Sequence, residues 1–217
     1  MIKKNFAVIG LSIFGTTLAL KLHEDGHNVV VVDVDREKVI NIRDKVTEAI
    51  IADVTLAEVI HELDVNRFDT IAVCMSDDFE AAIFALTLLK QEGADSVVVQ
   101  AKTHIQKHIL YKLGADDVVQ PACDMAERLA KRLTVPNLSD MFDFKGMSIA
   151  DLKVNNDFDG KTLKQLDFRH TFNISVLLIR RPGQPPEPMT DPDMVLHKGD
   201  ELTVLGKEED IIKAFNS

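Results

Sequence analysis

Six short runs of valine, isoleucine and alanine punctuate the first half of the chain, each followed by a segment of helical length. They are Phe6–Ile9, Asn28–Asp33, Glu48–Ala52, Asp69–Met75, Ser96–Ala101 and Asp117–Gln120. Runs this continuous in branched apolar residues suit strands buried on both faces. Alternating with helices, they predict a parallel sheet covered on each side, a doubly wound α/β fold. The intervening helices are expected after Gly15, over Arg36–Asp44 behind an Asp35 cap, over Leu56–Leu63, from Ser76–Glu80 to Gln91, and over His104–Leu113.

Such a sheet binds ligands beyond the carboxyl ends of its strands. Ser12, Asp33, Asp53, Cys74-Met75-Ser76 and Gln100-Ala101-Lys102 all fall there, so five loops converge on one crevice. The stretch Phe6-Ala-Val-Ile-Gly-Leu-Ser-Ile-Phe-Gly15 reads as strand, glycine turn and helix start, with Asp33 ending the next strand. In that context a carboxylate meets the ribose hydroxyls of a nucleotide whose phosphates lie over the turn. Gly10 permits the turn and Gly15 lets the helix pack close, while the middle glycine of the fingerprint is Ser12. The expected pocket comprises Gly10, Leu11, Ser12, Ile13, Phe14, Gly15, Asp33, Val34, Asp53, Val54, Cys74, Met75, Ser76, Gln100 and Lys102.

Plainer roles stand beside these. Asp33 can cap the following helix; Asp77, Asp78 and Glu80 suit a helix start. His104 and His108 lie one turn apart without an evident third ligand, and no metal site or catalytic set is expected. Cys74 lacks a base partner, and Cys74 and Cys123 form no C-x-x-C pair, which fits two free thiols in a reducing cytoplasm. The formal charge of −10 disfavours nucleic acid, which needs a basic face. Lys3-Lys4 before an uncharged run resembles a secretory signal, but turn-spaced glycines and an amphipathic helix argue against that reading, and no run of membrane-spanning length follows.

Asp124–Leu133 carries Met125, Leu129 and Leu133 at helical spacing, a stripe able to cross to a partner subunit. Pro136–Asp140 breaks the pattern, giving a first domain over 1–135, a linker over 136–145 and a small α+β domain over 146–217. In the latter, strands are expected over Met147–Val154, Ile174–Arg180 and Glu201–Leu205, and a short helix over Lys161–Leu166 capped from Asp159 or Gly160. A proline-rich hairpin loop over Pro182–Pro188 and a final helix over Glu208–Phe215 complete it. So small a module is marginal alone and is expected to self-associate.

With both halves in view, the chain resembles the RCK proteins, regulators of potassium conductance, of the KtrA/TrkA type with one RCK_N and one RCK_C domain. The resemblance rests on the glycine turn with Asp33, Ile51-Ala-Asp-Val-Thr55, Lys112 through Pro121, Leu166-Asp-Phe-Arg-His-Thr-Phe172, and Pro192 through Lys198-Gly-Asp-Glu-Leu202. It implies a Rossmann-like RCK_N domain binding an adenine nucleotide (NAD, ADP, AMP or ATP), and a homodimer assembling into an octameric ring. It further implies a potassium-translocating membrane partner, with the protein at the inner face of the cell membrane. Relatives favouring ATP carry an arginine where Ile13 stands, a lysine where Gln100 stands and a cation-binding glutamate where Ala122 stands, so a ligand less charged at its phosphate end suits this chain. Some Gram-positive relatives bind cyclic di-AMP between two RCK_C domains; the matching positions are Phe168, Arg169, Ile174, Ser175 and Pro192, and a binder can have asparagine where Ser175 stands. Arg169 can instead pair with Asp167 or with a partner chain. The competing functions are an NAD(P)-dependent oxidoreductase, for which no substrate domain or hydride-transfer set is visible, and a nucleotide sensor acting on another partner.

Overall fold

The computed structural model describes residues 2–144 and 146–215. The chain divides at Cys123/Asp124 into two compact units. The first is built on strands β1 (Asn5–Ile9), β2 (Asn28–Asp33), β3 (Glu48–Ile51), β4 (Thr70–Val73), β5 (Val97–Gln100) and β6 (Asp117–Val119). They form one parallel sheet in the order β3-β2-β1-β4-β5-β6. The order reverses at the β1/β4 junction, where the carboxyl ends leave a crevice.

Strand parity explains the layers. Ala7, Ile9, Val30, Val32, Ile71, Val73, Val97 and Val99 share one face with Ile60 of helix α3 (Ala57–Glu62), Leu86 and Leu89 of α4 (Phe79–Gln91) and Leu110 of α5 (His104–Lys112). Val8, Val29, Val31 and Ala72 face the other way, against Ala19 of α1 (Ile13–Glu24) and Val39 and Ile42 of α2 (Arg36–Ile42). Leu86, Leu89 and Leu110 are fully buried, each worth about 1.5–3 kcal/mol of transfer free energy. Helix starts are set by side chains: Asp35 accepts from the backbone N–H groups of Glu37 and Lys38, Asp78 from that of Ala81, and Thr103 with Gln106 forms a reciprocal capping box.

Helix α6 (Pro121–Thr134) begins earlier than its apolar stripe suggested, because Pro121 pre-sets the first helical turn. The second unit is a five-stranded antiparallel sheet in the order β10-β9-β11-β8-β7, with β7 Leu138–Phe144, β8 Met147–Lys153, β9 Ser175–Arg180, β10 Glu187–Pro188 and β11 Glu201–Gly206. Residues 138–144, expected within a linker, are thus a strand. A register irregularity between Leu138 and Asp140 puts Leu138 and Met141 in the same core at a spacing of three, which conceals strand alternation.

The short helix α7 is Leu163–Leu166, and Thr162 rather than Asp159 or Gly160 caps it, in a capping box with Gln165. Helix α8 (Phe168–Phe172) was not anticipated; the left-handed residues Asp167 and Asn173 bound it. Phe158, Phe168, Phe172 and, from α9 (Glu208–Phe215), Phe215 pack edge-on or stacked around it, with Phe158 and Phe168 ring centroids 5.1 Å apart.

Candidate functional site

The turn after β1 is fixed by its glycines. Gly10 has φ +89°, and a Cβ there would lie 2.7 Å from Met75 Cγ; a Cβ on Gly15 would lie 2.1 Å from the Gly10 carbonyl oxygen and 2.9 Å from Cys74 Cβ. Only glycine lets α1 begin this close to β1. The Ser12 hydroxyl accepts from the Gly15 backbone N–H at 3.2 Å, so Ser12 caps α1. This leaves the first backbone N–H groups of α1 as donors for an anion, with Ile13 91% exposed beside them.

Asp33 ties this turn to the end of β2. One carboxylate oxygen accepts from the Leu11 backbone N–H at 2.5 Å and the other from that of Asp35 at 2.8 Å. The second bond opens the loop into α2, whose cap is Asp35 itself. Each oxygen keeps a further lone pair, so the carboxylate is held in place and can still accept from ligand hydroxyls. Val34 is exposed next to it. Beyond β3, Asp53 accepts from both the backbone N–H and the hydroxyl of Thr55, which hold its carboxyl below the usual carboxylate range.

Other expected pocket residues divide between crevice and core. Leu11 and Val54 have buried side chains, Val54 in the cluster against α3 and α4 and Leu11 in the cluster on the other face, so the backbone is what they can offer the crevice. Cys74 is 2% exposed in the core under the turn, and burial pushes its thiol up to about 12, so the side chain is not presented to the crevice. Met75 packs against the core behind Gly10, and Ser76 follows it in the loop after β4. Gln100 and Phe14 line an apolar cavity of about 230 Å³ under β4, β5 and β6, with Leu18, Leu22, Val98 and Val119, and the Gln100 side-chain oxygen is buried without a partner. Lys102 bonds Asp77 at 2.5 Å between the loops after β5 and β4, and its ammonium holds the Asp77 carboxyl below its usual range. That pairing, and the Asp78 cap, were not separable in the acidic run Asp77–Glu80. His104 and His108 are exposed, and among the described residues no three His, Cys, Asp or Glu side chains group to hold a metal.

In the second unit a cavity of about 440 Å³ opens beside α8. Phe168, Arg169, Ile174 and Pro192 line it with Met189 and Lys164; Ser175 is not among its walls. Asp167 pairs with His170 at 2.8 Å rather than with Arg169, whose guanidinium has no charged partner among the described residues. Lys164 is 3.7 Å from Asp193. The result is an apolar floor with one unpaired guanidinium at its wall.

Comparison with known proteins follows this division. The TrkA-N domain matches residues 6–121 and the TrkA-C domain residues 147–217. The chain is 33% identical over 212 residues to the Ktr system potassium uptake protein C of Bacillus subtilis (strain 168), covering 96% of this chain and 95% of that protein. It is 30% identical to the Ktr system potassium uptake protein A of Vibrio alginolyticus, covering 99% and 97%. Among solved structures, the GsuK RCK domain aligns with a TM-score of 0.69 at 19% identity, covering all of this chain and 48% of that one. The GsuK channel bound to NAD aligns with a TM-score of 0.69 over 99% of this chain and 39% of that one. The chain therefore spans about half the length, or less, of these solved chains, and the likeness is one of fold.

Proposed function

The chain belongs to the family that joins a TrkA-N to a TrkA-C domain, and from that premise we propose that it is the cytosolic regulatory subunit of a potassium uptake system, controlled by an adenine nucleotide. The observation that carries this reading is the Asp33 carboxylate, locked by two backbone N–H groups between the glycine turn and the end of β2. A nucleotide there sets its phosphates on the α1 N-terminus and its ribose on Asp33. Ile13 and Gln100 supply no positive charge, which favours NAD, ADP or AMP over ATP. Solved GsuK structures with NAD and with ADP support the same ligand class.

Gating follows if the ligand binds one assembly state better than another, shifting the population toward it. The exposed Met125, Leu129 and Leu133 stripe of α6 supports assembly as a homodimer and then an octameric ring on the inner membrane face, acting on a separate potassium-translocating subunit. Among the described residues no helix is long and apolar enough to cross a membrane. The cavity beside α8 is the proposed cyclic di-AMP site, with Arg169 on a phosphate and Phe168, Ile174 and Pro192 as cradle. The oxidoreductase alternative is disfavoured because relatives aligned over nearly the whole chain are potassium uptake proteins. A sensor acting on another target would keep the same nucleotide site.

Mass spectrometry of nucleotide extracted from the purified protein tests the reading directly. An adenine nucleotide is expected, with affinity reduced at least tenfold in Asp33→Ala. Steady hydride transfer to a small substrate, lost in that variant, would replace regulation by catalysis.

A further inference from the structure

The second unit carries a cationic cavity apart from both the glycine turn and the α8 cavity. Glu201 at the start of β11 stands directly opposite Lys153 of β8 on one side and Arg180 of β9 on the other. Directly opposed residues project to the same face of a sheet. Their neighbours Leu152, Leu202 and Ile179 fill the core, so the Lys153–Glu201–Arg180 row occupies the opposite face. Glu201 is nearly buried and its carboxylate is paired with Arg180, which commits one cation to the fold. Lys153 has no charged partner among the described residues, and Arg181 reaches Glu187 only at 3.6 Å.

A cavity of about 300 Å³ opens over this row, walled by Lys153, Arg180, Arg181, Gln184, Gly199 and Glu201. Three cations face one carboxylate there, in a chain whose formal charge is −10. This local inversion of sign attracts anions to one spot. The loop behind it contains Pro182, Pro185 and Pro186, which limit its freedom before any ligand arrives and so reduce the ordering cost of binding.

We propose that this cavity binds a small free anion carrying one or two phosphoryl groups. The Arg181 guanidinium forks onto two oxygens of one phosphoryl group, the Lys153 ammonium adds a second positive charge, and the Gln184 amide donates from the loop. Arg180 stays on Glu201 and keeps that buried carboxylate neutralised beneath the ligand.

The probe is inorganic pyrophosphate, titrated calorimetrically into the full chain. Lys153→Gln and Arg181→Gln are each expected to weaken one binding component at least tenfold with an unchanged melting temperature, whereas Asp33→Ala, which alters the glycine turn, leaves that component intact. Arg180 is left alone because its removal strands Glu201. Unchanged binding in both glutamine variants, loss in Asp33→Ala alone, or no binding by the unaltered chain overturns the proposal. So does flotation of the protein with phosphatidylcholine vesicles containing phosphatidylglycerol when pyrophosphate itself does not bind, since the site would then take a lipid headgroup and not a free anion.

Discussion

The two units build their candidate binding surfaces in opposite ways. In the first, the donors are backbone N–H groups at the start of α1, positioned by Gly10, Gly15 and one doubly bonded carboxylate. In the second, the cavity beside α8 is walled by side chains of a five-residue helix suspended between left-handed Asp167 and Asn173. A backbone site demands glycine where atoms come too close and therefore marks the sequence. A side-chain site asks only for a mixture of apolar and charged residues, which many surfaces share.

The largest effect is expected where backbone packing leaves no room. A methyl group on Gly15 meets a carbonyl oxygen of the turn itself, so Gly15→Ala should cost about 3 kcal/mol, the upper end of overpacking penalties, and abolish nucleotide binding. Chemical denaturation measures it. Retention of full stability would break the contrast by showing that the turn can shift. Gly183 is a control in the second unit: although its φ is +76°, a Cβ there meets nothing within 4 Å, so Gly183→Ala carries only the smaller backbone strain.

The same contrast explains what could be read in advance. The parallel sheet was legible because buried strands such as Val29–Val32 carry continuous valine, and the Asp33 position because it ends such a strand. Strand β7 was concealed by the irregularity that puts Leu138 and Met141 on one side. Helix α8 was concealed because five residues hold too little periodicity to register and its boundaries are Asp167 and Asn173 rather than glycine or proline. Side-chain facing was least legible of all. Cys74 and Gln100 lie at or next to strand ends, where the sequence places them near the crevice, and the structure puts both on the wall of the apolar cavity, a facing that becomes definite only once register is known.

An intermediate effect is expected at Arg169, where the second kind of site concentrates its charge. The side chain is exposed and unpaired, so Arg169→Ala should leave stability within about 0.5 kcal/mol. Loss of a charge-assisted contact to a phosphate costs about 1.5–3 kcal/mol, so cyclic di-AMP affinity should fall tenfold or more in calorimetry. Equal affinity in the variant would move the ligand, if it binds, out of this cavity. Ser175→Asn should change affinity much less, because Ser175 is not part of the cavity wall.

The last effect is confined to alkaline pH and concerns the floor of the backbone site. Cys74 lies under Gly15 at 2% exposure, and burial raises its thiol from an ordinary 9.0 to about 12; Cys123 on α6 is only partly buried. A disulfide-exchange reagent at pH 8 should therefore titrate one thiol per folded chain promptly and the second only on unfolding. The raised value also fixes a pH dependence. Well below pH 9 the thiol is protonated in both folded and unfolded chains and contributes no slope. Between 9 and 12 the unfolded chain ionises first, binds fewer protons than the folded one, and stability falls as pH rises. Cys74→Ala removes that contribution while leaving the other titrating groups in place, so its urea stability should decline less steeply from pH 9 to 11 than that of the unaltered chain. Identical slopes would mean that the ground beneath the turn is open to water, and the tight backbone packing that distinguishes the first site from the second would lose its main consequence.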